Sequence, residues 1–159
     1  MTAYHASPIG LLGIDTDGTH ITAIRIVSSR DDTGSNDIPI IRAAKHWLDG
    51  YFSGGRPDPG LLPLAPKGTN FQQLIWWMLL QIPYGRTVTY GGLAKRAAHI
   101  LGRPQMSAQA VGNAVSKNPI LIVIPCHRVL GANNALTGFS AGIDKKIQLL
   151  RSEGIDLIL

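Results

Sequence analysis

One cysteine in 159 residues, Cys126, excludes an internal disulfide and a thiolate-rich zinc site. Five histidines lie scattered, without the close spacing of a metal cluster, so no metal is expected. Long apolar runs are also missing: Leu74–Leu80 is the longest, far too short to span a bilayer. Met1–His5 has no basic stretch leading into an apolar core, so no secretory leader is read there. Acidic residues are few, ten Asp and Glu against fifteen Lys and Arg, giving a formal charge of +5. That surplus suits a polyanionic partner without requiring one. Hydrophobic residues make up 45% of the chain, enough for a buried core, which excludes disorder. These limits describe a soluble, metal-free, cytoplasmic protein of one domain or two small lobes, expected to be a monomer.

Apolar, β-rich runs at Ile9–Ile14 and His20–Val27 flank Asp15–Gly18 and read as a hairpin. Ser28–Pro39 is polar and turn-rich, a surface loop. Ile40, Ala43, Ala44, Trp47, Leu48 and Tyr51 recur at helical spacing within Ile40–Phe52, which Ser53–Gly60 stops. Leu61–Pro66, with two prolines, reads as an extended linker. A mainly helical half follows. Thr69 or Asn70 caps a helix from Phe71 to about Ile82. Tyr90–Leu101 and Ser107–Lys117, with Ser107 at the cap, form a pair around the break Gly102–Pro104. That pair has the outline of a helix-turn-helix or of an ordinary helical hairpin. Ile120–Ile124 is wholly apolar and β-branched, so a buried strand is expected, stopping at Pro125. Leu130–Gly138 reads as a turn-rich loop, and Ile143–Glu153 as a last helix stopped by Gly154. The expected class is α/β (α+β), with an N-terminal lobe over 1–66 and a helical C-terminal lobe over 67–159.

A lone cysteine is most often a small buried hydrophobe. Cys126 stands in Ile124-Pro125-Cys126-His127-Arg128-Val129, at the expected end of a strand, followed at once by a base and a cation. A thiol reacts as thiolate, and a nearby base or positive charge favours that form. Neighbours on an extended chain point to opposite sides, so a water or a bend must link Cys126 to His127. Glu153 is a candidate to orient His127.

This six-residue run resembles the signature of the O6-alkylguanine-DNA alkyltransferases (methylated-DNA–protein-cysteine methyltransferases). Phe71-Gln72-Gln73, Ile82–Tyr90, Ala110–Ala114, Asn118-Pro119, Thr137–Gly142 and Leu149–Gly154 resemble further motifs of that family, in its order. The likeness is specific over roughly 68–154 and weak before it. The resemblance implies repair of O6-alkylguanine, and of O4-alkylthymine, by irreversible transfer of the alkyl group to Cys126, without a cofactor. His127 would be the base, acting through a water, with Glu153 orienting it and Asn118 bracing the cysteine turn. Tyr90 would donate to N3 of the base and Ser140 to O6, while carbonyls of Cys126 and Val129 would accept from the exocyclic amine. The second helix of the pair would enter the minor groove of double-stranded DNA through a small face that includes Ala110 and Gly112, with Arg128 also expected at the substrate or DNA.

Three positions depart from the family pattern. Gln109 stands where an arginine usually fills the space left by a flipped base, Phe139 where many members have tyrosine, and the segment around Ile100–Met106 is longer. An alkyltransferase-like lesion-binding protein without transfer is the alternative reading, and Cys126 argues against it. A cysteine hydrolase built on Cys126, His127 and Glu153, and a transcription regulator using the helix pair alone, are further rivals.

Overall fold

The computed structural model describes residues 1–31 and 37–157. Part of the expected Ser28–Pro39 loop, 32–36, lies outside the described residues. The chain forms two compact units: Met1–Lys67 with Pro119–Val123, and Gly68–Asn118 with Ile124–Leu159.

In the first unit β1 (Thr2–Ser7), β2 (Gly10–Thr16) and β3 (Ile21–Ile26) make an antiparallel sheet in that order. The hairpin β2–β3 is the one expected. Its turn is held by the Asp17 carboxylate, which accepts from the backbone N–H groups of Thr19 and His20. Strand β1 was not anticipated, because Ala3, Tyr4 and His5 give no alternation strong enough to read. Helix α1 (Pro39–Phe52) packs on all three strands. Leu12, Ile14, Ile21 and Ile24 of the sheet are fully buried, as are Ala44 and Leu48 of the helix. Each buried aliphatic side chain contributes roughly 1.5–3 kcal/mol. The inward face uses Ile41 rather than the expected Ala43, which is exposed.

Ile120–Ile124 is buried as expected but is not a strand. Ile24 donates its N–H to Pro119 O and accepts from the N–H of Leu121, so Ile120 alone bridges to the sheet. The chain then turns twice. Val123 N–H donates to Leu121 O around Ile122, whose φ of 73° makes this the strained form of γ-turn. Cys126 N–H donates to Ile124 O around Pro125 (φ −83°, ψ 65°), the common inverse form. Composition alone cannot separate a buried β-branched run that pairs from one that turns, and the left-handed Ile122 decides it here.

The second unit is mainly helical. Helix α2 (Asn70–Leu80) starts at a capping box in which Thr69 and Gln72 bond each other's backbone N–H groups. Helices α3 (Tyr90–Leu101) and α4 (Ala108–Ser116) pack on each other and on α2. The Trp76 indole of α2 donates to Ala114 O of α4 at 2.9 Å, fixing α4 from behind. Thr89 caps α3 and Ser107 caps α4, as short oxygen-bearing side chains do. Strands β4 (Val88–Thr89) and β5 (Val129–Leu130) pair in parallel, so the start of α3 lies beside the cysteine turn. Helix α5 (Ile143–Ser152) ends at Glu153, with Gly154 left-handed after it.

Candidate active site

Cys126 opens a single 3-10 turn, Cys126–Arg128, directly after Pro125. Its side chain is 3% exposed, yet it lines a cleft of about 820 Å³. Tyr90 at the start of α3, Gln109 and Gly112 of α4, and Phe139 and Ser140 form other parts of the wall. Gly112 faces the Tyr90 ring, where an added Cβ would make an ordinary van der Waals contact at 3.7 Å. Asn118 is buried just after α4, and its amide donates to Ile124 O at 2.8 Å, tying the start of the cysteine turn to the end of that helix.

Behind the cysteine is a buried charge cluster. His127 Nε2 and Glu153 Oε2 are 2.6 Å apart, both side chains fully excluded from solvent. Arg128 donates from Nε to Oε1 at 2.8 Å and from Nη2 to Oε2 at 3.1 Å, and Gly85 N–H donates to Oε1 at 3.0 Å. Burial alone would raise the Glu153 carboxyl. The bonds and charges from His127 and Arg128, with Gly85, outweigh it and hold the group down to about 2. An anionic carboxylate only accepts, so the proton on Nε2 belongs to His127 and Nδ1 is the basic nitrogen. Burial lowers the His127 pKa against the pull of Glu153, and Arg128 and Lys146 add to the lowering. The imidazole at rest is neutral.

Burial also pushes the Cys126 thiol up to about 11. A hydrogen bond from Asn118, the charge of Lys146 and backbone hydrogen bonds at Cys126 and His127 oppose that rise. At rest the sulfur is a thiol, which would have to lose its proton to react. Burial raises the Tyr90 phenol, a hydrogen bond with Thr137 lowers it and the charge of Cys126 raises it, so the hydroxyl keeps its proton.

Of the eleven site residues read from the sequence, Tyr90, Gln109, Gly112, Cys126 and Ser140 share the cleft wall, and His127, Arg128 and Glu153 meet behind it. Residues 70–155 match the family description "6-O-methylguanine DNA methyltransferase, DNA binding domain". A methylated-DNA–protein-cysteine methyltransferase of Haemophilus influenzae is 39% identical over 160 residues, covering 98% of this chain and 87% of its own. One from Methanosarcina acetivorans is 39% identical over 157 residues, covering 96% and 97%. The chain belongs to the methylated-DNA–protein-cysteine methyltransferase family. The crystal structure of Mycobacterium tuberculosis OGT in complex with DNA superposes with a TM-score of 0.79 at 38% identity, covering 94% of this chain and 90% of that one.

Against the pattern expected for this family, two placements differ from the sequence reading. Arg128, read from the sequence as adding positive potential or making structural hydrogen bonds, was also expected at substrate or DNA. It is buried instead, its donors spent on Glu153 and on Ile82 O, to which Nη1 donates at 2.8 Å. A guanidinium next to a buried carboxylate pairs with it before it reaches for anything outside. Ala110 is half-buried and lies off the cleft wall, whereas Gln109 is exposed on it. Phe139, the second family departure, is half-buried in the same wall.

Lys146 is the residue the sequence reading missed. It is fully buried on α5, donating from Nζ to Val129 O at 2.6 Å and to Thr137 O at 3.0 Å. Its ammonium lies 6.0 Å from the centre of the Tyr90 ring. Burial lowers its pKa to about 8 while the charge of Cys126 raises it, so the two groups sense each other. The available signal was positional: Lys146 sits three and four residues before Leu149 and Leu150, on the inward face of an amphipathic helix. Val129 O, expected to accept from a bound base, already accepts from this lysine.

Proposed function

We propose that the chain repairs alkylated DNA by direct reversal, moving the alkyl group from O6 of guanine to Sγ of Cys126 in one displacement. The C–S bond forms as the O6–C bond breaks. The thiol proton passes to Nδ1 of His127 through a water, while Glu153 holds Nε2–H and steadies the imidazolium that forms. Guanine leaves with a negative charge. Tyr90 relieves it by donating its phenolic proton toward N3, and Ser140 by donating to O6 through its hydroxyl or backbone N–H. Asn118 braces the turn that presents the sulfur. No electron acceptor or outside group donor enters this balance, so no cofactor is needed, and the thioether product meets no second nucleophile. Each molecule acts once.

The target atom lies inside a duplex, so the nucleotide must be flipped into the cleft. In this reading α4 enters the minor groove, whose degenerate pattern suits a protein that meets lesions in any sequence. Residues 67–159 carry the DNA-binding and acceptor functions, and 1–66 support them structurally. O4-alkylthymine presents the same kind of alkyl–oxygen bond and is the second expected substrate. Among the described residues no helix is long and apolar enough to cross a membrane, and the proposed location is the cytoplasm, on the nucleoid.

The observation that carries this reading is the placement of the chain's single cysteine on the wall of a cleft bounded by Tyr90 and Gln109, at the first turns of α3 and α4. The test is intact mass after incubation with a duplex containing O6-methylguanine. One added methyl, mapped to Cys126 and absent from Cys126→Ser, is the expected result; duplex binding without a mass change overturns it.

A further inference from the structure

Charge is divided unequally along the chain. Met1–Lys67 with Pro119–Val123 holds six Lys and Arg against seven Asp and Glu, and the other unit holds nine against three. Those three acids, Asp144, Glu153 and Asp156, all fall near the C-terminus, so Gly68–Asn118 carries five cations and no carboxylate. Two of the five, Lys95 and Arg103, together with His99, line a groove of about 510 Å³ on α3 and the turn after it. Ala94 and Ala98 lie between the basic side chains, and Pro104–Met106 form another wall.

Three features set this groove apart from scattered surface charge. It shares Gly91 and Ala108 with the cleft that holds Cys126, so the two hollows adjoin at these small residues. Its cations are held by regular backbone. Lys95 and His99 are one turn apart on α3, and Arg103 follows a Schellman closure in which Gly102 N–H donates to His99 O and Arg103 N–H to Ala98 O. Gln109 brings no charge to the first turn of α4, so the cations flanking that turn come from this groove.

We propose that the groove seats the sugar–phosphate backbone of the strand whose nucleotide enters the cleft, with Lys95 and Arg103 each meeting a phosphate and His99 donating between them. This rests on the repair reading above. The small floor lets the backbone approach closely, and no carboxylate competes for the cations. The segment Ile100–Met106, which reads as longer than the family pattern, then contributes to the grip through Arg103–Met106.

The test is the salt dependence of binding to an unmodified duplex, by fluorescence anisotropy, for the full chain and for Lys95→Gln, Arg103→Gln and the double variant. Each lost phosphate contact lowers the slope of log K against log salt by roughly 0.9, so the double variant should lose about 2. Its affinity at moderate salt should fall on the order of tenfold. Arg151→Gln, an exposed cation outside the groove, should leave the slope unchanged. An unchanged slope in the double variant overturns the proposal, as does an equal loss in Arg151→Gln, which would report overall charge alone. Methyl transfer to Cys126 with an unchanged slope sinks the groove only, whereas absence of transfer in the unaltered chain sinks the repair reading beneath it.

Discussion

Glu153 Oε2 lies 2.6 Å from Nε2 of His127, and neither side chain touches solvent. The folded carboxyl sits near 2 against an ordinary value of 4.5, so as pH falls the unfolded chain takes up the proton first. The stability contributed by Glu153 is complete above its unfolded pKa and drains away from about pH 4.5 toward 2. Glu153→Gln should leave Arg128 and its neighbours without their counter-charge, costing roughly 3–5 kcal/mol at neutral pH. Thermal melts of both proteins from neutral to acid pH check this. The variant should melt lower at neutral pH and lose less on acidification.

Without DNA, the thiol should react slowly. Alkylation of Cys126 by iodoacetamide should rise about tenfold per pH unit toward a midpoint near 11. Lys146→Met removes a charge that favours the thiolate, so its midpoint should move higher still. The same change leaves Val129 O and Thr137 O without their donor, lowering stability by roughly 1–3 kcal/mol for each carbonyl left unsatisfied. A wild-type midpoint at the ordinary thiol value would contradict the burial account.

Tyr90→Phe should slow transfer more than it weakens binding, because the donated proton matters most as guanine departs. Single-turnover rates and duplex affinity separate the two effects. Equal losses in both would reduce Tyr90 to a packing residue.

Gln109→Arg should tighten duplex binding and speed transfer, since position 109 is exposed on the cleft wall and lacks charge. Dissociation constants and single-turnover rates decide it. No change in either would mean that the longer α3–α4 turn already supplies what the arginine supplies elsewhere.

Gly68→Ala should destabilise by roughly 1–3 kcal/mol. An added Cβ would stand 2.4 Å from the Trp76 ring and 2.7 Å from the Gln72 side-chain oxygen. Trp76 cannot retreat without disturbing its bond to Ala114 O, which holds α4. Duplex affinity should therefore fall along with the melting temperature, while the Cys126 titration stays where it was.

Much of the helical architecture was legible because caps announce themselves. Thr69 with Gln72, Ser107 and Gly102 mark the termini that the structure shows. Cys126 and its histidine were legible from six residues. Ile120–Ile124 was misread because γ-turns leave no trace in hydropathy, and Ile122 adopts a backbone that β-branched residues rarely take. The expectation of Arg128 at substrate or DNA and the omission of Lys146 share a reason. A charged side chain reads as surface until its partners are known, and Glu153, Val129 O and Thr137 O lie 9 to 25 residues away in sequence.

Glu153 also gathers Gly85, His127 and Arg128, the first of them 68 residues upstream. The carboxylate that meets His127 thus leaves the ribosome after both the cysteine and the histidine. A nascent chain whose cysteine has already emerged carries a thiol with no anchored base and an arginine with no carboxylate to meet. A message cut short by a premature stop between residues 127 and 153 would yield a polypeptide that keeps the sulfur and the histidine but lacks the carboxylate that fixes the imidazole.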